Sequence, residues 1–220
     1  MNTARISDRL RNDADSVWKE IFNHPFVVEL YEGTLPLEKF KFYVLQDYNY
    51  LAADMKNLSI LSSKAPSVEA MREMVEIAHL EATTEFKGYE EFLKRLGYTI
   101  EDAMGIEPTP TSLSYSSFLL ATSSLKTFWE GLAATLPCFW TYAEIADFHR
   151  DNLKENENDL YLEWASVYFT EPYLDLIDRM KGLLDKANVE YEKLKEAFIM
   201  ASKYEYLYWS MAYNMEKWPA

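Results

Sequence analysis

An all-α protein, a compact bundle of seven or eight helices, is the fold class this sequence predicts, and three observations predict it. Six glycines and eight prolines among 220 residues are too few to punctuate a turn-rich β fold, and they leave long uninterrupted segments. Within those segments apolar residues recur at three- and four-residue spacing, the period of one buried helix face. No stretch alternates apolar with polar residues as a half-buried strand does. The length suits one sizeable core, so residues 1–220 are expected to form a single helical domain.

The elements follow in order. The first helix covers about 5–22 and stops before His24-Pro25, where the histidine closes a turn. A loop holding Gly33-Thr34-Leu35-Pro36 leads to a helix over about 37–63, with Pro36 just ahead of its first turn. Ala65-Pro66-Ser67 breaks that helix, and Ser67 caps a third that ends near Gly97. In the third, Met71, Met74, Val75, Ala78, Ala82, Phe86, Tyr89 and Leu93 form the expected buried stripe. Thr109-Pro110-Thr111 ends a loop, and a fourth helix runs from Ser112 to about 124. The fifth, about 127–153, carries Pro137 in its interior, where a proline removes one backbone hydrogen bond and clashes with a carbonyl, at about 3 kcal/mol. Residues 156–159 read as a solvated loop, 159–168 and 172–186 as two shorter helices, and 189–217 as a long, aromatic last one.

Composition narrows the function classes. A net charge of −14 repels phosphate, which argues against nucleic acid and anionic membranes as partners. The opening residues lack an apolar signal segment, and no apolar run is long enough to span a bilayer. With one cysteine, these features point to a soluble, cytoplasmic protein. Sixteen tyrosines are an excess that suits an interface or a polar, ring-binding pocket.

The single cysteine, Cys138, follows Pro137 inside the fifth helix. A lone thiol is no disulfide half and one sulfur makes a poor metal site, so Cys138 is either a small core residue or a positioned nucleophile. Tyr142 lies one turn on, with Glu144, Asp147 and His149 beyond it. On the last helix Tyr204-Glu205-Tyr206-Leu207-Tyr208-Trp209 sets a carboxylate among rings, and Gln46-Asp47-Tyr48-Asn49-Tyr50 does so on the second. An acid on an inward face is expensive unless it has a partner; the alternative for each is a carboxylate with its head in water. Three helices offering polar groups beside tyrosines predict a pocket whose rings clasp a flat ligand and whose acids bond its edge.

Metal chemistry finds little support. Glu76-Ile77-Ala78-His79 matches the Glu-x-x-His element of di-iron bundles but has no second copy, and the chain holds only three histidines. No metal or other cofactor is expected. A glycine-rich phosphate loop, a Gly-x-Ser-x-Gly elbow and a His-Glu-x-x-His pair are all missing from the sequence.

A set of motifs occurs in order along nearly the whole chain: His24-Pro25-Phe26, Gly33-Thr34-Leu35-Pro36, Phe42-Tyr43-Val44-Leu45-Gln46-Asp47, Pro108-Thr109-Pro110-Thr111 leading to Ser114-Tyr115, Leu136-Pro137-Cys138-Phe139-Trp140, and Tyr204-Glu205-Tyr206 running on to Trp209-Ser210-Met211-Ala212-Tyr213. In these the chain resembles the TenA family, the thiaminase II or aminopyrimidine aminohydrolase enzymes of thiamine salvage. The resemblance implies a heme-oxygenase-like helical bundle that assembles as a homotetramer, without implying heme. Carried across, it makes Cys138 the nucleophile and Glu205 its acid/base partner. Asp47 falls where the family binds the pyrimidine's amino group and neighbouring ring nitrogen, Tyr50 and Tyr142 where rings stack. Tyr115 falls where a tyrosine supports the catalytic end, and Tyr168 where one bonds a ring nitrogen, although here the flanking 165–171 stretch departs from relatives whose tyrosine precedes glycines. Tyr208 stands where some members have phenylalanine. Since part of the family lacks the mid-helix cysteine, the chain falls on the cysteine branch.

The implied activity is hydrolysis of 4-amino-5-aminomethyl-2-methylpyrimidine to hydroxymethylpyrimidine and ammonia, with thiaminase II cleavage of thiamine as the same chemistry on another leaving group. The alternative is a non-catalytic, pyrimidine-binding or regulatory member of the same fold, which would not need both Cys138 and Glu205. A two-metal oxygenase of this architecture is a third reading, and the histidine count argues against it.

Overall fold

The computed structural model describes residues 4–219; it is 80% helical and, among the described residues, has no strand. Twelve α-helices appear among those residues where the sequence predicts seven or eight. The excess comes from two split helices and two short ones. The first predicted helix divides into α1 (Ile6–Asp13) and α2 (Asp15–Phe22) at Ala14, whose backbone leaves helical geometry at φ −91° and ψ 0°. Asp13, an unfavourable charge at a helix C-terminus, turns instead to the Tyr191 hydroxyl at 3.0 Å and the Lys195 ammonium at 2.9 Å. Where a turn was expected after His24 there is a helix, α3 (Pro25–Tyr31), with Pro25 in its first turn and the His24 ring accepting the Phe26 N–H at 3.2 Å.

The remaining helices are α4 (Leu37–Lys64), α5 (Val68–Leu80), α6 (Phe86–Leu96), α7 (Ile100–Met104), α8 (Pro110–Leu125), α9 (Phe128–Phe148), α10 (Asp159–Ser166), α11 (Glu171–Leu184) and α12 (Tyr191–Asn214). A π-helical turn, Glu81–Glu85, joins α5 to α6 where one helix was predicted. It also corrects the stripe. Ala70, Met74, Ile77 and Glu81 are buried before the turn and Tyr89, Phe92 and Leu93 after it, while Met71, Val75 and Ala82 face outward. The unpredicted α7 is started by a reciprocal capping pair, Thr99 and Asp102. Helix α9 runs through Pro137 without interruption and ends at Phe148, earlier than predicted. Residues 156–159 are not simply a solvated loop: Asn156 is buried, its amide donates to the carbonyls of Leu30 and Tyr31 at 3.1 Å each, and the Asn158 side chain caps α10. Gly33 permits this, since its φ is +79° and a Cβ there would lie 2.5 Å from the Asn156 amide oxygen.

The helices form two compact units, one gathering the chain up to Leu35 with Leu132–Ser210, the other Pro36–Gly131 with the chain from Met211 on. The first is built around Trp18, which stacks on Phe198 at 6.0 Å, meets Trp140 edge-on at 5.5 Å and donates its indole N–H to Ser202. The Arg11 guanidinium covers Trp18 at 4.2 Å and pairs with Glu144 at 2.8 Å, so the tryptophan is sealed by a charge that is itself satisfied.

The second unit is organised by α4, against which α5, α6, α7 and α8 pack. Polar side chains of α4 hold its neighbours. Gln46 spans the Glu107 carbonyl and the Thr109 N–H, Asn49 reaches the Ala103 carbonyl at 2.7 Å, and Lys64 donates to the exposed carbonyls at the end of α8. Gly131 at the start of α9 is a close approach, because a Cβ there would meet Leu61 at 2.6 Å and Ser123 at 2.8 Å. No described helix is long and apolar enough to cross a membrane.

Candidate active site

Five of the eight predicted site residues lie in the first unit: Cys138 and Tyr142 on α9, Tyr168 in the short 3₁₀ turn after α10, and Glu205 and Tyr208 on α12. Cys138 is the one residue of 131–140 that is not buried. An inert packing cysteine would be as covered as its neighbours; this thiol is partly open. Its Sγ donates to the Thr135 carbonyl at 2.9 Å, one turn back on the face of α9 that Tyr142 continues one turn on. Pro137 has no N–H, and its own carbonyl is taken by the Thr141 hydroxyl at 2.8 Å, so the turn around the thiol stays regular through side-chain bonds.

Tyr142 is the centre of an aromatic wall. Its ring lies 5.0 Å from Tyr168, 5.3 Å from Trp209 and 6.0 Å from Trp164, so three elements are joined on one tyrosine. Trp164 and Tyr168 meet edge-on at 4.8 Å, and Tyr168 meets Tyr173 at 5.1 Å. Tyr173 in turn donates to the Phe139 carbonyl at 2.9 Å, tying α11 to the turn of α9 that carries the thiol. Glu205 is 2% exposed, so its carboxyl is not a head in water, and Tyr208 one turn on is equally buried. The His24 ring bonds the Ser210 hydroxyl at 3.0 Å, fixing the end of the Glu205 segment to the start of α3.

The other three, Asp47, Tyr50 and Tyr115, lie in the second unit and are all buried. Tyr50 of α4 and Tyr115 of α8 face each other with ring centroids 5.1 Å apart. One turn before Tyr50 on the same helix, the Asp47 carboxylate accepts from the Tyr89 hydroxyl of α6, which also contacts the Tyr43 hydroxyl at 3.1 Å.

The residues that sequence reasoning missed are rings: Trp164, Trp209 and Tyr173 around Tyr142, and Tyr43 and Tyr89 around Asp47. Tyr43 was legible, being four residues before Asp47 on a helix. Tyr89 was placed in a core stripe, and the π-helical turn that aims it has no obvious sequence mark. Glu76 and His79, the half-motif for a metal, are exposed on α5, and among the described residues no three His, Cys, Asp or Glu side chains are grouped to hold a metal ion.

Comparison with known proteins adds relatives of nearly full length. The model of the TENA/THI-4/PQQC family matches residues 11–215. A Bacillus subtilis protein named aminopyrimidine aminohydrolase is 33% identical, with 97% of this chain and 92% of that one aligned. A protein of the same name from Halalkalibacterium halodurans is 30% identical over 95% and 96%. Among solved structures, a TenA homologue from P. horikoshii OT3 is 47% identical, covers 96% of this chain and 99% of its own, and superposes with a TM-score of 0.92. A more distant structure from Shewanella denitrificans, 13% identical, covering 94% and 90% with a TM-score of 0.74, is described as having a heme oxygenase-like fold, and the helical architecture here is of that class.

Proposed function

The chain belongs to the TENA/THI-4/PQQC family, and from that premise we propose that it is a hydrolase of thiamine salvage that converts 4-amino-5-aminomethyl-2-methylpyrimidine to hydroxymethylpyrimidine and ammonia. The observation that carries the reading is the partly open Cys138 thiol one turn before Tyr142, the centre of a wall of rings, with a buried carboxyl, Glu205, in the same unit. Full-length relatives named aminopyrimidine aminohydrolase support the substrate class.

In this reading Asp47 holds the amino group and neighbouring nitrogen of the pyrimidine, while Tyr168 bonds another ring nitrogen and withdraws charge. Tyr50 and Tyr142 flank the ring, Tyr115 supports the catalytic end and Tyr208 closes a wall. Sulfur adds to the ring carbon next to a bonded nitrogen, and the ring loses its aromaticity. The electrons released expel the amine from the exocyclic methylene. Water then adds at that methylene, the carbon–sulfur bond breaks, and hydroxymethylpyrimidine leaves. Sulfur suits both halves, being a strong nucleophile and a tolerable leaving group.

A free thiol is only a few per cent ionised at neutral pH, so the attack needs a proton acceptor. Glu205 takes the Cys138 proton as the carbon–sulfur bond forms and delivers it to the departing amine. Thiamine undergoes the same cleavage with the thiazole as leaving group, and the assembly is a homotetramer, as light scattering would report.

The test is product analysis by chromatography. The wild type and a Cys138→Ser variant are each incubated with the aminomethylpyrimidine and, separately, with thiamine. Hydroxymethylpyrimidine from the wild type, at a rate at least about a hundredfold above the variant, is the expected result. No product from a folded wild type on either substrate leaves the non-catalytic, pyrimidine-binding reading instead.

A further inference from the structure

We propose that Tyr89 is a positioning residue for Asp47: its hydroxyl, aimed by the π-helical turn before α6, orients the carboxylate that receives the pyrimidine's amino edge. The inference rests on the aminopyrimidine reading above and extends it to a residue that reading does not use.

The geometry lies within one unit. Helix α6 is laid along α4 in reverse order by two ring contacts, Phe86 on Tyr48 at 5.3 Å and Phe92 on Phe40 at 6.4 Å, and between them by the Tyr89 hydroxyl, which bonds Tyr43 and Asp47. Tyr89 is thus held on both sides along the helix and is 5% exposed. An ionised carboxylate has no proton to give, so in the bond between Tyr89 and Asp47 the phenol is the donor. A phenol has one proton. The 3.1 Å contact between the two hydroxyls is then made by Tyr43 donating to Tyr89, and the order is Tyr43 to Tyr89 to Asp47. Such a chain polarises each successive bond, favours the ionised carboxylate, and fixes its plane. Both effects serve an acceptor for the N–H groups of an aminopyrimidine.

The π-helical turn makes the placement possible. Buried positions 70, 74, 77 and 81 follow helical spacing along α5, which in an unbroken α-helix continues to 84, 88 and 92. Position 84 is exposed, and burial resumes at Tyr89. The wider turn at Glu81–Glu85 accommodates an extra residue, so that after it Tyr89 and Leu93 are buried where the unbroken series offers Gly88, while Phe92 is buried on either series.

The experiment is a double-mutant cycle on Tyr89→Phe and Asp47→Asn, reading KM and kcat for the aminomethylpyrimidine and binding of hydroxymethylpyrimidine by calorimetry, with thermal melting as the control for folding. Tyr89→Phe is expected to raise KM and weaken product binding about tenfold, with kcat changed less than about twofold. In the Asp47→Asn background the same change is expected to have an effect below about twofold, because the carboxylate it serves is gone. If Tyr89→Phe fails to fold, Tyr43→Phe, one donor further back, is expected to give a smaller loss with the same dependence on Asp47. Equal losses in both backgrounds, or none in either, overturn the positioning role alone. A wild type that neither turns over the substrate nor binds the product brings down the aminopyrimidine reading and this role with it.

Discussion

At the scale of single residues, the groups on which the proposed chemistry rests were legible as candidates because the sequence sets them against their surroundings. Cys138 stands out as the only cysteine, and it is the one position in its stretch that the fold leaves partly open. Glu205 and Asp47 stand out as acids in runs of tyrosine, and both are buried. Aromatic partners were harder to read, since Trp164, Trp209 and Tyr89 are equally good core residues and only their contacts assign them. If Glu205 shuttles a proton, Glu205→Gln, which keeps size and loses the acid, is expected to reduce kcat at least about a hundredfold while hydroxymethylpyrimidine binds within about threefold of wild type. Calorimetry and single-turnover kinetics separate the two, and near-normal turnover in the variant would remove Glu205 from the mechanism.

Elements were legible where they are long and marked by caps, and lost where local geometry departs from an ideal helix. Helices α4, α8 and α11 fall within two residues of the expected bounds. The break at Ala14 and the π-helical turn at Glu81–Glu85 were not foreseen, because each leaves the apolar period nearly intact over the window in which it is read. Helix α3 was missed because seven residues between a proline and a glycine look like a turn. Close packing of elements was also hidden, as at Gly131. Gly131→Ala improves helix propensity but forces a methyl within 2.6 Å of Leu61 and 2.8 Å of Ser123. The crowding is expected to win, with a net loss of about 1–3 kcal/mol, visible as a lower denaturant midpoint. A stability equal to or above wild type would mean that α4 and α9 have slack at this contact.

For the whole molecule, buried titratable groups away from the proposed chemistry give the stability a pH dependence of two opposing signs. Burial pushes His24 down to about 4, and the neutral ring so favoured is the form that accepts the Phe26 N–H. The unfolded chain takes up that proton first, so His24 contributes stability that is present above about 6.5 and is lost as pH falls toward 4. His24→Asn retains a capping side chain without a titration in that range, and its melting temperature is expected to fall less than that of wild type between pH 7 and 4.5. Asp54 behaves oppositely. Burial pushes its carboxyl up to about 6, against the hydrogen bond that the Asn57 amide donates to the ion at 3.0 Å, so its favourable protonated form is lost as pH rises through that value. Asp54→Asn is expected to raise the melting temperature at pH 8 and to have little effect at pH 4, as calorimetry can check; a gain of equal size at both would point to packing instead. Neither sign was readable from the sequence, where His24 stands before a proline at a helix start, Asp54 sits inside a long helix, and neither position tells how deeply it is buried.

The wall around Tyr142 has a spectroscopic consequence. Two of the six tryptophans, Trp164 and Trp209, stand 6.3 Å apart and each within 6.0 Å of that ring. An electron-poor heterocycle settling against the wall would quench their emission, so native fluorescence can follow occupancy in real time, without label or coupled assay.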